Sequence, residues 1–460
     1  MTNWQGKNVL ILGAARQGQA LARYLAGRKC HVILNDKRTP EDLGEVVANL
    51  SSLGVEWVLG DHPLALLDRV DVVCLSGGIP LSLPIVKAAI ERGLPLTNDS
   101  QIFMESVKAP VIGITGSAGK TTTTTLVGRI AQESVQSPAK AWVGGNIGFP
   151  LVEYLEEIKP QDSVILELSS FQLEQMTISP KIAAVLNITP NHLDRHFSME
   201  AYTAAKTRIL QFQSSSDIAV LNREDHGSWS LKQLVKGSLV SFGLQRPENP
   251  GTATFIENGS IFLQKDGMVI EVIPVSEVQL RGKHNLVNVL AAVVISNAAG
   301  FSLEAMRSAI ARFKGAEHRL EFVRELNGIS WINDAIATAP ERTMAGIDSF
   351  DEPLILLLGG RDKDLPWGEL SARIHHRVKQ VIIFGEATAK IAEAIGKPLP
   401  GDVLQKVFTT PLMSDALAEA AKQAEPGDVV LLSPGCTSYD AFRDFEEKGN
   451  YFKKWVNELA

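Results

Sequence analysis

The 460-residue sequence has few cysteines and no long apolar run, and each shortage excludes a class of protein. Its three cysteines, Cys30, Cys74 and Cys436, are scattered without Cys-x-x-Cys spacing, so we expect neither a disulfide framework nor a zinc cluster. No apolar stretch approaches the ~20 residues of a membrane-spanning helix, and the N-terminus has no apolar export signal. We therefore expect a cytoplasmic protein without a membrane span.

Positive charge is also in deficit. The sequence has 45 Lys and Arg against 52 Asp and Glu, a net charge of −7, which argues against a nucleic-acid partner but leaves local anion sites open. A hydrophobic content of 45% and a charged content of 21% are ordinary for globular proteins and exclude disorder and coiled coil. At roughly 100–200 residues per domain, the length predicts two to four domains.

Short apolar runs alternate with helical patterns, which is typical of α/β layers. We predict three α/β domains, with boundaries at residues 1–103, 104–315 and 316–460. Turn residues and alternating apolar residues over 238–272 predict small β hairpins in the second domain. The predicted strands are 9–13, 31–35, 55–59, 71–76, 110–116, 163–169, 182–188, 217–222, 330–334, 354–360, 381–385 and 429–435, and the predicted helices include 17–26, 83–92 and 285–297.

The strongest local signal is Gly113–Thr121, GITGSAGKT, between a predicted strand and a predicted helix. Glycines allow successive N–H groups to face one centre, and the helix N-terminus adds partial positive charge. Lys120 would reach the β- and γ-phosphates of a nucleotide, and Thr121 could offer its hydroxyl to Mg²⁺. The spacing departs from a strict phosphate loop at Ile114, and an ordinary glycine-rich turn is the alternative. An ordinary turn, however, does not explain the lysine, because a lysine there would have no role in packing.

Several polar residues follow this loop at informative positions. Glu167 ends a buried-type strand, where α/β sheets bind ligands, and its carboxylate suits Mg²⁺. His192 follows the next strand, and Lys206 begins a helix; taken alone, these two fit a structural histidine and a solvated helix face. Asn285 and Asn288 share one helical face and could recognise an adenine edge or contact a neighbouring helix.

The first domain begins with a glycine-containing turn after its first strand. Gly13 and Gly18 in this turn, with Asp36 at the end of the next strand, are typical of a dinucleotide-binding unit. Ala15, however, stands in place of the middle glycine of G-x-G-x-x-G. NAD is therefore one candidate ligand among others.

Together these segments resemble the Mur ligases, the family that builds the peptidoglycan precursor. The resemblance covers nearly the whole chain. It is carried by TG-x-x-GKTTT at 115–123, GGNIG at 144–148, ELSSFQLE at 167–174, NITPNHLDRH at 187–196, AAK at 204–206, GKHNLVNVLAA at 282–292, EHR at 317–319, NDAIAT at 333–338 and LSPGCTSYDAF at 432–442.

This resemblance implies a three-domain α/β fold with a Rossmann-like first domain, a central P-loop ATPase domain and a Rossmann-like third domain. It implies an ATP-dependent amide ligase that acts on small molecules in the cytoplasm, expected to be a monomer. In the family, the residue matching His192 helps to hold a second Mg²⁺, and the lysine matching Lys206 is carbamylated. Carbamylation needs a neutral amine, which burial and nearby cations favour.

The resemblance also assigns residues to the nucleotide and the metal. The catalytic set would be Lys120, His192 and Lys206. The metal ligands for two Mg²⁺ ions would be Thr121, Glu167, His192 and Lys206. ATP would be bound by Gly116, Gly119, Lys120, Thr121, Thr122, Asn285, Asn288, Arg319 and Asp334, with the last two on phosphate and ribose.

The type of first domain and matches in the third domain favour the branch of the family that adds D-glutamate to UDP-muramoyl-L-alanine; the L-alanine adder is the alternative. The UDP group would be bound by Arg16, Gln17, Gly18, Asp36, Arg38 and Ser76, and Asn146 would reach the muramoyl end. D-Glutamate would be bound by Thr338, Lys363, Ser438 and Phe445. Three residues depart from the family pattern: Ala118, Asn191 and Ile336.

Overall fold

The structure, a computed structural model, describes residues 3–191, 193–248, 250–280, 282–362 and 365–459. The chain forms two compact units, one of residues 1–278 and 284–312 and the other of residues 279–283 and 313–460. Among the described helices, none is long and apolar enough to cross a bilayer. The predicted site residues His192 and Lys363 lie outside the described residues.

The first unit begins with a parallel sheet. Its elements are β1 (Asn8–Leu12), α1 (Arg16–Ala26), β2 (His31–Asp36), α2 (Gly44–Leu50), β3 (Glu56–Leu59), β4 (Val72–Leu75), α3 (Pro84–Glu91), β5 (Leu96–Thr97) and α4 (Asp99–Ser106). Within the described residues the strand order is β3-β2-β1-β4-β5, with apolar core on both faces. The order reverses between β1 and β4, and ligands of open α/β sheets bind beyond the strand ends at such a point.

A second, larger sheet follows in the same unit. Its elements are β6 (Val111–Thr115), α5 (Lys120–Ser134), β7 (Ala141–Gly145), β8 (Ser163–Glu167), α6 (Ser170–Leu173), β9 (Ile182–Val185), α7 (Leu193–His196), α8 (Met199–Gln211), β10 (Ile218–Asn222), α9 (His226–Ser230), β11 (Ser238–Phe242), β12 (Ala253–Glu257), β13 (Ser260–Lys265), β14 (Met268–Pro274), α10 (Lys283–Ala298) and α11 (Leu303–Arg312). The order over the described strands is β14-β13-β12-β11-β10-β9-β6-β8-β7. Strand β6, which leads into the glycine loop, therefore lies inside the sheet, between β9 and β8.

The hairpin prediction for 238–272 was wrong in its first part. Strand β11 pairs parallel to β10, and β12 pairs parallel to β11; only β12, β13 and β14 form antiparallel hairpins. Alternation of apolar and polar residues reports one buried face, but it does not distinguish a parallel neighbour from an antiparallel one. The ten residues between β11 and β12 are also too many for a tight hairpin turn.

The second unit carries a third sheet. Its elements are β15 (Glu321–Leu326), β16 (Ile329–Asn333), α12 (Pro340–Ile347), β17 (Leu354–Gly359), α13 (Gly368–Arg377), β18 (Val378–Phe384), α14 (Thr388–Ile395), β19 (Lys406–Thr409), α15 (Met413–Gln423), β20 (Val429–Leu432) and α16 (Phe445–Glu458). In the part of the chain that is described, the order is β15-β16-β20-β17-β18-β19, parallel except for β15. The α/β prediction is confirmed. Strands β5, β7, β15 and β19 were not predicted, because they are short or only partly buried.

Candidate active site

The glycine loop connects strand β6 to the N-terminus of α5. Gly119 adopts a φ of +80°, in the left-handed region, and a Cβ there would lie 2.2 Å from Oδ1 of Asn288. Only glycine satisfies both conditions. The loop thus packs directly against α10, and the structure brings the predicted adenine residues next to the predicted phosphate residues.

Lys120 begins α5 and folds back over its own loop. Its Nζ donates to the carbonyl oxygens of Gly116 at 2.7 Å and of Ser117 at 3.2 Å. The first N–H groups of a helix have no partner within the helix, so the first turn of α5, which includes Thr121 and the buried Thr122, is suited to an anion.

Glu167 ends β8 beside this turn, and its carboxylate is buried. Oε2 accepts a 2.9 Å hydrogen bond from the hydroxyl of Thr121, and Oε1 accepts a 2.8 Å hydrogen bond from the amide of Asn146. The predicted metal ligands Thr121 and Glu167 are therefore in contact. Asn146, predicted at the muramoyl end of the substrate, is also part of this cluster.

Lys206 lies on α8 and is only 1% exposed, so the alternative of a solvated helix face is wrong. Its Nζ donates to the carbonyl of Gly116 at 2.9 Å and to Oγ1 of Thr115 at 3.3 Å. Burial, followed by the charge of Lys120, lowers the pKa of Lys206 well below its ordinary value, although Glu167 opposes the shift. The amine is thus in the environment that favours its neutral form.

Glu167 supplies a carboxylate to this cluster. Among the described residues, no three His, Cys, Asp or Glu side chains converge in a way that could hold a metal ion. The cluster of Glu167 with the Thr121 hydroxyl offers oxygen donors, the type that Mg²⁺ prefers. Further ligands would have to come from His192, from a modified Lys206, or from the nucleotide.

The turns after β1 and β4 meet at the reversal point of the first sheet. A Cβ at Gly18 would lie 1.8 Å from the carbonyl oxygen of Gly13, so glycine is required there. The Ser76 hydroxyl donates to the same carbonyl at 2.8 Å, and the Gly77 N–H donates to Oε1 of Gln17 at 2.8 Å. The structure therefore brings these predicted UDP residues together.

Asp36, at the end of β2, supports the same turn. Its carboxylate accepts hydrogen bonds from the Ala14 N–H at 2.7 Å and from the Arg38 guanidinium at 2.8 and 3.0 Å. Burial opposes ionisation, but these hydrogen bonds outweigh it and lower the pKa of Asp36 to about 2. Arg16 donates to the carbonyl of Gly148 at 2.8 Å, which connects this turn to the one that carries Asn146.

On α10, the buried side chains of Asn285 and Asn288 contact each other. The Asn288 amide donates to Oδ1 of Asn285 at 3.2 Å. This contact fixes the orientation of the Asn288 oxygen, which lies against the loop at Gly119.

In the second unit, Asp334 follows β16. Its carboxylate accepts from the Ser433 hydroxyl at 2.9 Å and from the Leu320 N–H at 3.2 Å. Burial raises its pKa to about 7, against the opposing effects of Ser433 and Arg319. Arg319 lies between His318 and Leu320, which both have positive φ, and its Nε is buried without a hydrogen bond.

The remaining predicted residues of this unit lie on segments at the ends of its strands. Thr338 lies in the turn after β16, where the Ala337 carbonyl accepts from the Gly435 N–H at 2.8 Å. Ser438 follows β20, and its hydroxyl oxygen is buried without a hydrogen bond. Phe445, the first residue of α16, packs edge-on against His318 with ring centroids 6.1 Å apart. The structure thus connects the turn of Thr338 to the segment that leads to Ser438.

Comparison with protein families identifies three segments of the chain. Residues 7–98 match the family model of the MurD-like N-terminal domain of Mur ligases, residues 114–296 match the Mur ligase middle domain, and residues 318–436 match the Mur ligase glutamate ligase domain. The chain belongs to the Mur ligase family. The predicted family and its three-domain α/β architecture are confirmed, while the boundaries near residues 103 and 315 remain predictions.

Similar proteins extend over the full length. The chain is 39% identical over 450 residues to UDP-N-acetylmuramoylalanine--D-glutamate ligase of Symbiobacterium thermophilum, and 37% identical over 454 residues to the protein of the same name from Pelotomaculum thermopropionicum, covering 98% of each chain. Among solved structures it resembles UDP-N-acetylmuramate-alanine ligase MurC from Thermotoga maritima, with 18% identity, a TM-score of 0.58 and coverage of 98% of this chain and 99% of that chain. It also resembles MurF from Acinetobacter baumannii, with 17% identity, a TM-score of 0.59 and coverage of 98% and 93%.

In this Mur ligase, two side chains that were not predicted from the sequence hold the glycine loop in place by hydrogen bonds. Oδ1 of Asn187 accepts from the Ala118 N–H at 2.8 Å, and its amide donates to the Ala118 carbonyl at 3.1 Å. The Tyr202 hydroxyl donates to the Ser117 hydroxyl at 3.0 Å. Asn187 comes two residues after the end of β9, and Glu167 is the last residue of β8. A polar residue at the carboxyl end of a parallel strand was therefore the signal in the sequence.

All three departures from the family pattern have contacts in this fold. The Asn191 amide donates to the Ser117 carbonyl at 3.5 Å. Ala118 is the residue held by Asn187, so its backbone rather than a side chain is fixed. The backbone N–H of Ile336 donates to the carbonyl of His318 at 3.1 Å.

Proposed function

We propose that this chain is an ATP-dependent amide ligase that joins D-glutamate to UDP-N-acetylmuramoyl-L-alanine, releasing ADP and phosphate. One observation carries the substrate assignment: relatives at 36–39% identity, covering nearly the whole chain, are named as ligases of UDP-N-acetylmuramoylalanine and D-glutamate. The geometry supports the chemistry, because Lys120, Glu167 and the buried Lys206 surround one glycine loop.

The reaction needs activation because a carboxylate does not lose oxide to an amine. Phosphoryl transfer from ATP to the terminal carboxylate of UDP-muramoyl-L-alanine would form an acyl phosphate and ADP. The D-glutamate amine would then attack the acyl carbon, and phosphate would leave with the electron pair of the C–O bond. Lys120 and the first turn of α5 would stabilise the charge on the transferred phosphoryl group.

The donors beside the loop fit Mg²⁺, since a buried carboxylate and a hydroxyl are hard oxygen ligands. We propose Glu167 and Thr121 as ligands, with His192 and carbamylated Lys206 holding a second ion. Mg²⁺ neutralises triphosphate charge when it is bound.

The Glu167→Gln variant tests this metal site. Because the substitution keeps the shape but removes the charge, we expect Mg²⁺ affinity to fall about ten-fold or more, measured by calorimetry and by the Mg²⁺ dependence of ADP release. Glu157→Gln, an exposed position on the same unit, is the control. Unchanged Mg²⁺ affinity in Glu167→Gln would exclude Glu167 as a ligand.

We propose that Lys206 is carbamylated, since its amine is buried within hydrogen-bond distance of the loop carbonyl of Gly116. A carbamate would supply a carboxylate-like metal ligand. ¹³C NMR with labelled bicarbonate should show a carbamate signal in the wild type that is absent from Lys206→Arg. A fully active wild type without this signal would contradict the proposal.

We propose that Asn285 and Asn288 recognise adenine, and that Arg319 and Asp334 recognise phosphate and ribose. The buried, unpaired Nε of Arg319 supports an anionic ligand. The turns of Arg16 to Gly18, Asp36 to Arg38 and Ser76 would bind UDP, with Asn146 at the muramoyl end. Thr338, Lys363, Ser438 and Phe445 would bind D-glutamate, and the buried, unpaired hydroxyl of Ser438 supports a polar ligand.

The decisive experiment gives the purified chain ATP, Mg²⁺ and UDP-muramoyl-L-alanine with a panel of L- and D-amino acids. We expect ADP and a new amide in equal amounts with D-glutamate alone. In a parallel reaction with UDP-muramic acid, an amide formed with L-alanine would indicate the other branch of the family. Phosphate release without an amino acid would indicate a regulatory NTPase. A change in NADH fluorescence on titration would indicate an oxidoreductase.

Three scattered cysteines in 460 residues are typical of a protein of a reducing compartment. We propose that the enzyme acts as a monomer in the cytoplasm with small-molecule partners only. Light scattering of the purified chain tests the monomer.

A further inference from the structure

Lys448 is a completely buried lysine on α16, one turn after Phe445. Its Nζ donates to the carbonyl oxygens of Gly359 at 3.1 Å and Thr437 at 3.4 Å. The rings of Phe384 and Phe442 lie with centroids 5.6 and 5.9 Å from it. Among the described residues, the ammonium forms no ion pair.

A buried cation is costly when no carboxylate pairs with it, and an apolar residue of the same size would avoid that cost. Burial lowers the pKa of Lys448 to about 8, although the Asp440 carboxylate and the Cys436 thiol, which both face it, oppose the shift. Near neutral pH the group still carries its charge. Packing alone therefore does not explain why a lysine stands at this buried position.

The two carbonyls belong to two loops that meet at Lys448. Arg361 and Thr437 exchange backbone N–H···O hydrogen bonds of 3.0 Å in both directions. A Cβ at Gly360 would lie 2.0 Å from the Thr437 carbonyl oxygen and 2.9 Å from Nζ of Lys448. The junction is therefore so tight that only glycine fits.

The loop after β20 carries Ser438, which is proposed above to bind D-glutamate and directly follows Thr437. The Ser438 hydroxyl and Oδ1 of Asp440 are buried without hydrogen-bond partners, which indicates a polar ligand that completes them. A positive charge fixed at the junction favours an anionic ligand, and D-glutamate carries two carboxylates.

We propose that Lys448 is a positioning residue for D-glutamate: its ammonium fastens the loop after β17 to the loop after β20, holds Ser438 in place and adds positive potential there. The proposal rests on the proposed function. It predicts that loss of this charge weakens the binding of D-glutamate, one of the three substrates.

The test compares wild type with Lys448→Met, which keeps length but removes charge, and Lys448→Arg, which keeps charge. Lys454→Met is the matched control, because Lys454 is on the same helix with its side chain 74% exposed. We expect Lys448→Met to raise the KM for D-glutamate about ten-fold or more, as loss of a charged hydrogen bond does, with the KM for ATP unchanged. Lys448→Arg should restore most of this loss. Equal changes in both KM values, or no change, would overturn the proposal.

Ser438→Ala separates this proposal from the one on which it rests. If Ser438→Ala leaves the KM for D-glutamate unchanged, the proposed D-glutamate site is wrong; if it raises that KM but Lys448→Met does not, only the role of Lys448 is wrong. Should Lys448→Met fail to fold, the pH profile of the wild type decides. The KM for D-glutamate should rise above about pH 8 as Lys448 loses its proton, and Lys448→Arg should lack this rise. A flat wild-type profile would overturn the proposal.

Discussion

At the scale of single residues, the phosphate loop depends on a contact between Gly119 and Asn288. The left-handed backbone of Gly119 and the absence of a side chain let the loop pass against α10. Lys120 and Glu167 could be predicted as site residues from the sequence, because a lysine in a glycine loop and a carboxylate at a strand end lie where α/β proteins bind ligands. The burial of Lys206 and the contact of Asn187 with Ala118 could not, since nothing local in the sequence specifies which side chain packs against a loop.

The Gly119→Ala variant should lose ATP binding. A Cβ would collide with Asn288, and the positive φ adds strain of about 1 kcal/mol, so we expect ATP affinity to fall about ten-fold or more. Gly259→Ala is the control, because Gly259 also has a positive φ but open space around its Cβ position. Calorimetric titration with ATP measures both. Similar affinities in the two variants would mean that the contact with Asn288 is unimportant.

At the scale of elements, the carboxyl ends of parallel strands gather the candidate residues. The glycine loop follows β6, Glu167 ends β8, and Asn187 follows β9. Alternation of apolar runs and helices predicted most of these strands, because a parallel strand buried on both faces is a continuous apolar run. The parallel pairing of β11 was missed, because strand partners are chosen by long-range packing.

A buried carboxylate on helix α4 makes the stability of the fold depend on pH, and this dependence can be measured without an activity assay. Asp99 in its first turn is buried, and burial raises its pKa to about 6. The folded state therefore keeps a proton that the unfolded chain releases near pH 4, so stability falls as pH rises from about 4 to about 6. Asp99→Asn removes this penalty, and its advantage over wild type should grow to roughly 3 kcal/mol across that range and then stay constant.

Thermal unfolding of Asp99→Asn and wild type at several pH values measures this difference. Asp68→Asn is the control, because Asp68 is an exposed carboxylate in the same unit, paired with Arg92. A difference between Asp99→Asn and wild type that stays the same from pH 4 to pH 7 would show that Asp99 does not titrate as described.

At the scale of the whole molecule, the proposed reaction has three substrates, and the fate of one oxygen atom tests its mechanism. If the mechanism is right, UDP-muramoyl-L-alanine labelled with ¹⁸O in its carboxylate should transfer one ¹⁸O to the released phosphate, because the acyl phosphate breaks at its C–O bond. Mass spectrometry of the phosphate measures the transfer, and a reaction without D-glutamate is the control. Unlabelled phosphate accompanied by full product formation would exclude the acyl phosphate.

The sequence by itself determined the α/β class, the order of the three domains and the family, because these follow from periodicity and from motifs local in the chain. It also predicted which residues carry phosphate and metal chemistry. Only the tertiary structure decided that Lys206 and Lys448 are buried lysines, that Asn146 contacts Glu167, and that the Ser438 hydroxyl has no hydrogen-bond partner. Burial and hydrogen bonding depend on residues distant in the chain, and folding alone brings those residues together.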